Sequence, residues 1–256
     1  MRNVILALCV LLLAPTIAPA ATRQPVVVEL YTAQGCSSCV KANALVSALA
    51  ERPDVLPLTF SVDYWDYLGW PDTFAQPAFA DRQRAFVKRL ALREVYTPQV
   101  VIDGRVQTSG VRPEQVEALV EEAAAARRYP PDTMFMDARR VAVGSGRAPR
   151  GGADVWLIRY DAREQEITPR KGDNRGQTLV QRNVVREIVR LGVWRGRPTA
   201  YRLPAADADS EGLSTAVLVQ TPRGGRILAV IARPAPAPPA ATPAASALRQ
   251  RPAPGR

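Results

Sequence analysis

Cys36 and Cys39 stand two apart in Gly35-Cys-Ser-Ser-Cys39, a spacing that lets two sulfurs act on one another. They follow the apolar run Val26-Val27-Val28-Glu29-Leu30-Tyr31, which reads as a strand, and precede Lys41 to Ala50, which reads as a helix. A Cys-x-x-Cys pair at a strand-to-helix junction suits thiol–disulfide exchange, in which one thiolate attacks and the other resolves. If the helix begins near Ser37, the Cys36 sulfur faces unpaired N–H groups and the positive end of the helix dipole, and both favour the anion. Cys39, one turn in, is expected to be more buried and less acidic, while the hydroxyls of Ser37 and Ser38 offer uncharged donors. The alternative for the same pair is a structural disulfide on a scaffold without activity.

The chain contains no histidine. A serine or threonine hydrolase therefore lacks its usual base, and no nucleophile elbow is present. Structural zinc is disfavoured because such sites want four Cys or His ligands. Cu(I) tolerates fewer, with Met134 and Met136 as thioether donors, but two methionines alternating on a strand read better as one packed face. No metal and no cofactor are expected.

Residues 1–20 have the form of a secretory signal: Arg2 at the start, an apolar core from Val4 to Ala14, and the small-residue site Ala18-Pro19-Ala20. The apolar run stops at Pro15, short of the roughly 20 residues a membrane span needs. Cys9 lies inside that core, so no lipid anchor and no stable membrane anchor is expected. The chain is read as exported, periplasmic or secreted after cleavage near Ala20, into a compartment where disulfides persist. Half of the net charge of +10 comes from Arg2, Arg233, Arg249, Arg251 and Arg256, outside the folded middle. With export, this argues against a nucleic-acid partner and leaves weak attraction to anionic surfaces. Residues 233–256 are rich in Pro and Ala and read as a disordered tail.

Residues 22–128 alternate strand and helix. The helix after Cys36 carries Ala42, Leu45, Val46 and Leu49 at helical spacing, and Val55 to Val62 forms a second strand. Pro77 opens a second helix with the stripe Phe79, Phe86, Val87 and Leu90. Gln99 to Ile102, Asp103-Gly104 and Arg105 to Thr108 read as a hairpin, since Asp-Gly supports a type I′ turn. Pro113 opens a last helix with Val116, Leu119 and Val120 inward. Residues 130–232 read as a β-rich domain, or a sheet packed on the first, with runs Thr133 to Val143, Val155 to Tyr160, Thr178 to Val189, Ala216 to Gln220 and Arg226 to Ile231. Asn183 to Trp194 fits a helix as well as a strand.

The order β-α-β-α-β-β-α, with Cys-x-x-Cys at the first junction and Thr97-Pro98 before the third strand, resembles the thioredoxin fold. The fold class expected is thus α/β: a thioredoxin-like domain with a β-rich C-terminal extension. The chain from about Val26 to Ala232 also resembles a bacterial family of secreted thioredoxin-like proteins of unknown function, domain of unknown function twelve-twenty-three. The motifs are Glu29-Leu-Tyr-Thr-Ala-Gln-Gly-Cys-Ser-Ser-Cys39, Val62-Asp-Tyr-Trp-Asp-Tyr-Leu-Gly-Trp70, Tyr96-Thr-Pro-Gln-Val-Val-Ile-Asp-Gly104, Gly172-Asp-Asn, Asn183-Val-Val-Arg186 and Leu191-Gly-Val-Trp194. One departure is Val40-Lys41, where members often carry two prolines. The family implies fold and location, not an activity.

The thioredoxin resemblance implies that the Thr97-Pro98 bond is cis and that Pro98 faces the dithiol. It also places Glu29, seven residues before Cys36, near a buried carboxylate that relays the resolving proton, although the spacing differs and a structural role competes. Tyr64, Trp65, Tyr67 and Trp70 cluster just beyond the second strand and form a candidate groove for an unfolded or peptide substrate, with Trp65 the one best read as packed cover. The expected activity is exchange of disulfides with protein or peptide thiols, served by an external redox partner. The rival is a binding module braced by an inert Cys36–Cys39 bridge.

Overall fold

The computed structural model describes residues 24–126, 129–207 and 211–235. The expected signal at 1–20, Cys9 and the tail beyond Ala235 lie outside the described residues. In chain order the elements are β1 (Val26–Thr32), α1 (Cys39–Leu49), β2 (Val55–Ser61), α2 (Pro77–Arg89), β3 (Gln99–Ile102), β4 (Val106–Thr108), α3 (Pro113–Ala125), β5 (Thr133–Asp137), β6 (Arg140–Val143) and β7 (Ala153–Asp161). There follow β8 (Gln165–Ile167), β9 (Leu179–Gln181), β10 (Val184–Trp194), β11 (Thr199–Arg202), β12 (Ser214–Gln220) and β13 (Ile227–Arg233).

One mixed sheet of eight strands spans both halves of the chain in the order β13-β12-β7-β10-β2-β1-β3-β4. β1 and β2 are parallel, as a right-handed helical crossover demands, while β3 returns antiparallel to β1 with Tyr31 opposite Gln99. The β-rich half therefore does not stand apart from the first. β10 joins β2 at Val184 opposite Thr59, and Asn183 fastens the seam by donating its side-chain amide to the Pro57 carbonyl at 2.7 Å. The sheet also curves back on itself: Ile227 donates its N–H to the Asp103 carbonyl at 2.9 Å, bringing β13 to the β3–β4 turn.

Alternation along the strands divides the interior. On β1, Val26, Val28 and Leu30 pack with α1 and α3, whereas Val27 and Tyr31 face α2. The α2 side gathers Phe60, Phe79, Phe86, Ile158, Val185 and Leu218 with both cysteines in one cluster. On the opposite face, the small sheet β11-β6-β5 covers β7, β10 and β12 around the buried Trp194.

Several expectations change. α1 begins at Cys39, two residues later than Ser37, because Cys36 to Cys39 is spent in a turn closed by the Cys39 N–H on the Cys36 carbonyl at 3.1 Å. The segment that fitted helix or strand is β10, whose bulges between Val185 and Glu187 and between Arg190 and Gly192 break the two-residue alternation. The run Thr178 to Val189 is split at Asn183, which has φ 52°. Met134 and Met136 do share a face, but it is the solvent face, 60% and 47% exposed, while Phe135 turns inward. Arg233 still belongs to β13, so regular structure continues one residue past the boundary drawn for the tail.

Candidate functional site

Cys36 and Cys39 form a disulfide with Cα atoms 5.4 Å apart, at the end of the sheet where β1 leaves for α1. Neither sulfur-bearing residue is open to solvent: Cys36 is 2% exposed and Cys39 0%. Cys36, expected to be the less buried of the two, is thus covered as well, although Ser37 and Ser38 beside it are exposed and the Ser38 hydroxyl lies 3.4 Å from the Cys36 sulfur.

Three segments meet around this loop or at this end of the sheet. The Trp65 side chain lies against Gly35, where even a Cβ would touch the Trp65 Cβ at 3.7 Å, and its indole N–H donates to the Thr97 hydroxyl at 2.7 Å. Thr97-Pro98 is cis, with Pro98 buried, immediately before Gln99 of β3. Because Gln99 sits opposite Tyr31, register brings Pro98 to the same end of the sheet as the Cys36 loop. The third segment belongs to the second half. In the β8–β9 connection, Gly172 approaches Gly35 so closely that an added Cβ would lie 3.6 Å from the Gly35 Cα. Beside it the Asn174 amide donates to the carbonyls of Gln34 and Cys36, both at 2.9 Å.

The aromatic residues divide by role. Tyr64 is partly buried, donates to the Gln83 side chain at 3.1 Å, and burial pushes its phenol up to about 12. Trp70 donates to the Gln34 side-chain oxygen at 2.8 Å and so serves the loop before Cys36. Trp65 is half-buried, packed against Gly35 and tied to Thr97. Tyr67 alone of the four is open, 78% exposed and stacked on Trp65 with ring centroids 6.2 Å apart. The structure therefore supplies one exposed ring beside the disulfide loop, and the remainder of the expected groove is packed.

A family model described as a protein of unknown function (DUF1223) matches residues 27–220, most of the chain. The chain belongs to the DUF1223 family. A crystal structure of a protein from Agrobacterium tumefaciens, solved as a structural-genomics target, is similar with 28% identity, a TM-score of 0.69, and coverage of 84% of this chain and 96% of that one. HBP35 of Porphyromonas gingivalis shares the fold with a TM-score of 0.57 at 13% identity, covering 86% of this chain and 78% of that one. No curated protein matches the chain.

In this DUF1223 chain two buried carboxylates flank the disulfide region with different fates. Glu29 receives Arg82 through two bonds, 2.6 and 2.8 Å, and the Tyr31 hydroxyl at 2.8 Å. A carboxylate so held braces α2, which fits the structural role that competes with the proton relay implied by the thioredoxin resemblance. Burial first and the Glu29 charge second raise the Tyr31 phenol well above its ordinary range. Burial works against the Arg82 charge, yet Glu29 beside it raises the guanidinium above its ordinary value. Asp72, which sequence reasoning passed over, accepts the Gln34 N–H at 2.7 Å and the Phe74 N–H at 3.0 Å. Burial nevertheless pushes its carboxyl up to about 6. Asn174 was also missed as a site residue; its signal was the Gly172-Asp-Asn motif, which stood out without an assigned place.

Proposed function

We propose that this chain is an exported thiol–disulfide oxidoreductase of thioredoxin-like fold that exchanges disulfides with protein or peptide thiols through Cys36 and Cys39. The observation that carries the reading is the disulfide at the β1–α1 junction, at the same end of the sheet as Pro98. The order β2-β1-β3-β4, with α1 and α3 on one face and α2 on the other, supports the thioredoxin-like assignment.

In the oxidising direction a substrate thiolate bonds to one sulfur of the pair, the Cys36–Cys39 bond breaks, and the other sulfur leaves as thiolate. A second substrate thiolate attacks the mixed disulfide, the substrate disulfide forms, and the pair is left as two thiols carrying the two electrons. An external dithiol–disulfide partner restores the starting state, and the reverse sequence reduces a substrate. Because Cys36 is covered, attack by a macromolecule requires the Gly172–Asn174 segment to lift away, at the cost of the two Asn174 hydrogen bonds. Tyr67 offers a stacking surface for the arriving chain.

The reading is tested with Cys39→Ala and Cys36→Ala, each reacted under native conditions with a protein disulfide such as scrambled ribonuclease. Mixed disulfides accumulating through Cys36 and not through Cys39 support exchange. Failure of both variants to form adducts favours a second reading, to which the burial of Cys36 lends support: a binding module in which the bridge only braces the loop.

A further inference from the structure

Between α2 and the second-half strands lies a cavity of about 290 Å³ that takes no residue from the cysteine loop. Ala78 and Ala85 of α2, Trp156 of β7 and Ile188 of β10 make its walls largely apolar. Arg82 also lines it, and its side chain is only 6% exposed. Nε and Nη2 are committed to Glu29, and among the described residues Nη1 has no acceptor. Arg82 lines the cavity, so this remaining N–H is the donor that an oxygen arriving there would meet.

Arg223 lines the same cavity from the β12–β13 turn, is exposed, and forms no ion pair among the described residues. The turn reaches α2 because residue 224 is glycine: at φ 67° an added Cβ would lie 2.8 Å from the Ala85 carbonyl carbon. The acid nearest this mouth, Asp81, is held by Arg84 at 2.7 Å, and Glu29 behind Arg82 offsets the Arg82 charge. The unmatched charge is thus the single positive charge of Arg223.

We propose that this cavity binds a small apolar or aromatic carboxylic acid, its body against Ala78, Ala85 and Ile188 and its carboxylate taken by Arg82 Nη1 and Arg223. The volume sits at the lower end of ligand pockets, which run from about 300 to 1,000 Å³, so the ligand is small. The inference does not depend on the redox reading.

The test is calorimetric titration of the folded full chain with phenylacetate, indole-3-acetate and octanoate at pH 7, with 2-phenylethanol as the uncharged control. Arg223→Glu reverses the rim charge and Ala78→Trp fills the mouth, both at exposed positions, and circular dichroism confirms that each folds. The expected result is saturable one-to-one binding of at least one acid, at least about tenfold tighter than the alcohol and weakened at least about tenfold by each variant. The proposal is overturned by no saturable binding of any of the three acids, by alcohol binding as tight as the acids, or by acid binding that either folded variant leaves unchanged.

Discussion

Asn174 donates its side-chain amide to the carbonyl oxygen of Cys36 at 2.9 Å, across 138 residues of chain. The same amide holds the Gln34 carbonyl at 2.9 Å, so one buried side chain of the second half fixes both ends of the turn leading into the disulfide. Asn174→Ala removes this partner from the Gln34 carbonyl, leaves the Cys36 carbonyl with the Cys39 N–H alone, and leaves the Gly172 contact untethered. It should cost about 1–3 kcal/mol of stability and speed reduction of the native disulfide by dithiothreitol several-fold. Urea titration and a thiol-release time course measure the two effects; an unchanged reduction rate in a destabilised variant would show that this segment does not gate access.

Once the pair is reduced, Cys36 should alkylate faster than Cys39. Cys39 is fully buried at the first position of α1, whereas Cys36 lies in the preceding turn beside exposed Ser37 and Ser38. Iodoacetamide labelling at neutral pH, read by peptide mass spectrometry, checks this. Equal rates at the two sulfurs would count against Cys36 as nucleophile.

Glu29 and Arg82 form a buried ion pair, and removing one partner leaves the other charge uncompensated. Glu29→Gln should therefore destabilise by about 3–5 kcal/mol. The double variant Glu29→Gln with Arg82→Leu should be less destabilised than the sum of the two single changes. In the folded fraction, Glu29→Gln should leave the pH dependence of Cys39 reactivity unchanged, and a displaced profile would restore the proton-relay role.

Asp72 gives a pH signature. Its folded pKa of about 6 stands above the ordinary value of 3.8, mainly through burial, with the neighbouring Asp66 charge adding to it. Folding therefore favours the protonated acid. The stability it contributes is fully present below about pH 4, declines as pH rises toward 6 and stays lost above that. Asp137 and Asp161, whose carboxyls are lowered, pull the other way, so the relevant quantity is the difference between parent and Asp72→Asn. That difference should move by roughly 2 kcal/mol in favour of the variant between pH 4 and 7. Parallel stability profiles would contradict the buried-acid assignment.

The first half was legible where local chemistry is decisive. Pro77 and Pro113 open α2 and α3, and Asp103 and Gly104 both take positive φ in the β3–β4 turn, whereas the cis Thr97-Pro98 bond was implied only by the thioredoxin resemblance. The second half was less so, for identifiable reasons. Bulges break the alternation of β10, and β8 and β11 are only three and four residues long. The fusion of the halves rests on Val184 against Thr59 and on Asn183 reaching Pro57, a long-range match that leaves no periodicity in either segment. Burial of Cys36 and the pairing of Glu29 with Arg82 likewise depend on residues distant in sequence, which spacing around the cysteines does not encode.

On the proposed reading, the Cys36–Cys39 bond opens and closes in the folded protein as it exchanges with thiols. Equilibrating the folded chain in glutathione redox buffers, trapping with acid and counting free thiols measures this directly. The expected result is reversible interconversion in the folded state with a midpoint within about −270 to −120 mV, the span of known exchange catalysts. A pair that stays oxidised to below about −300 mV, or that reduces only when the chain unfolds, would make the bridge structural and rule out exchange as the function.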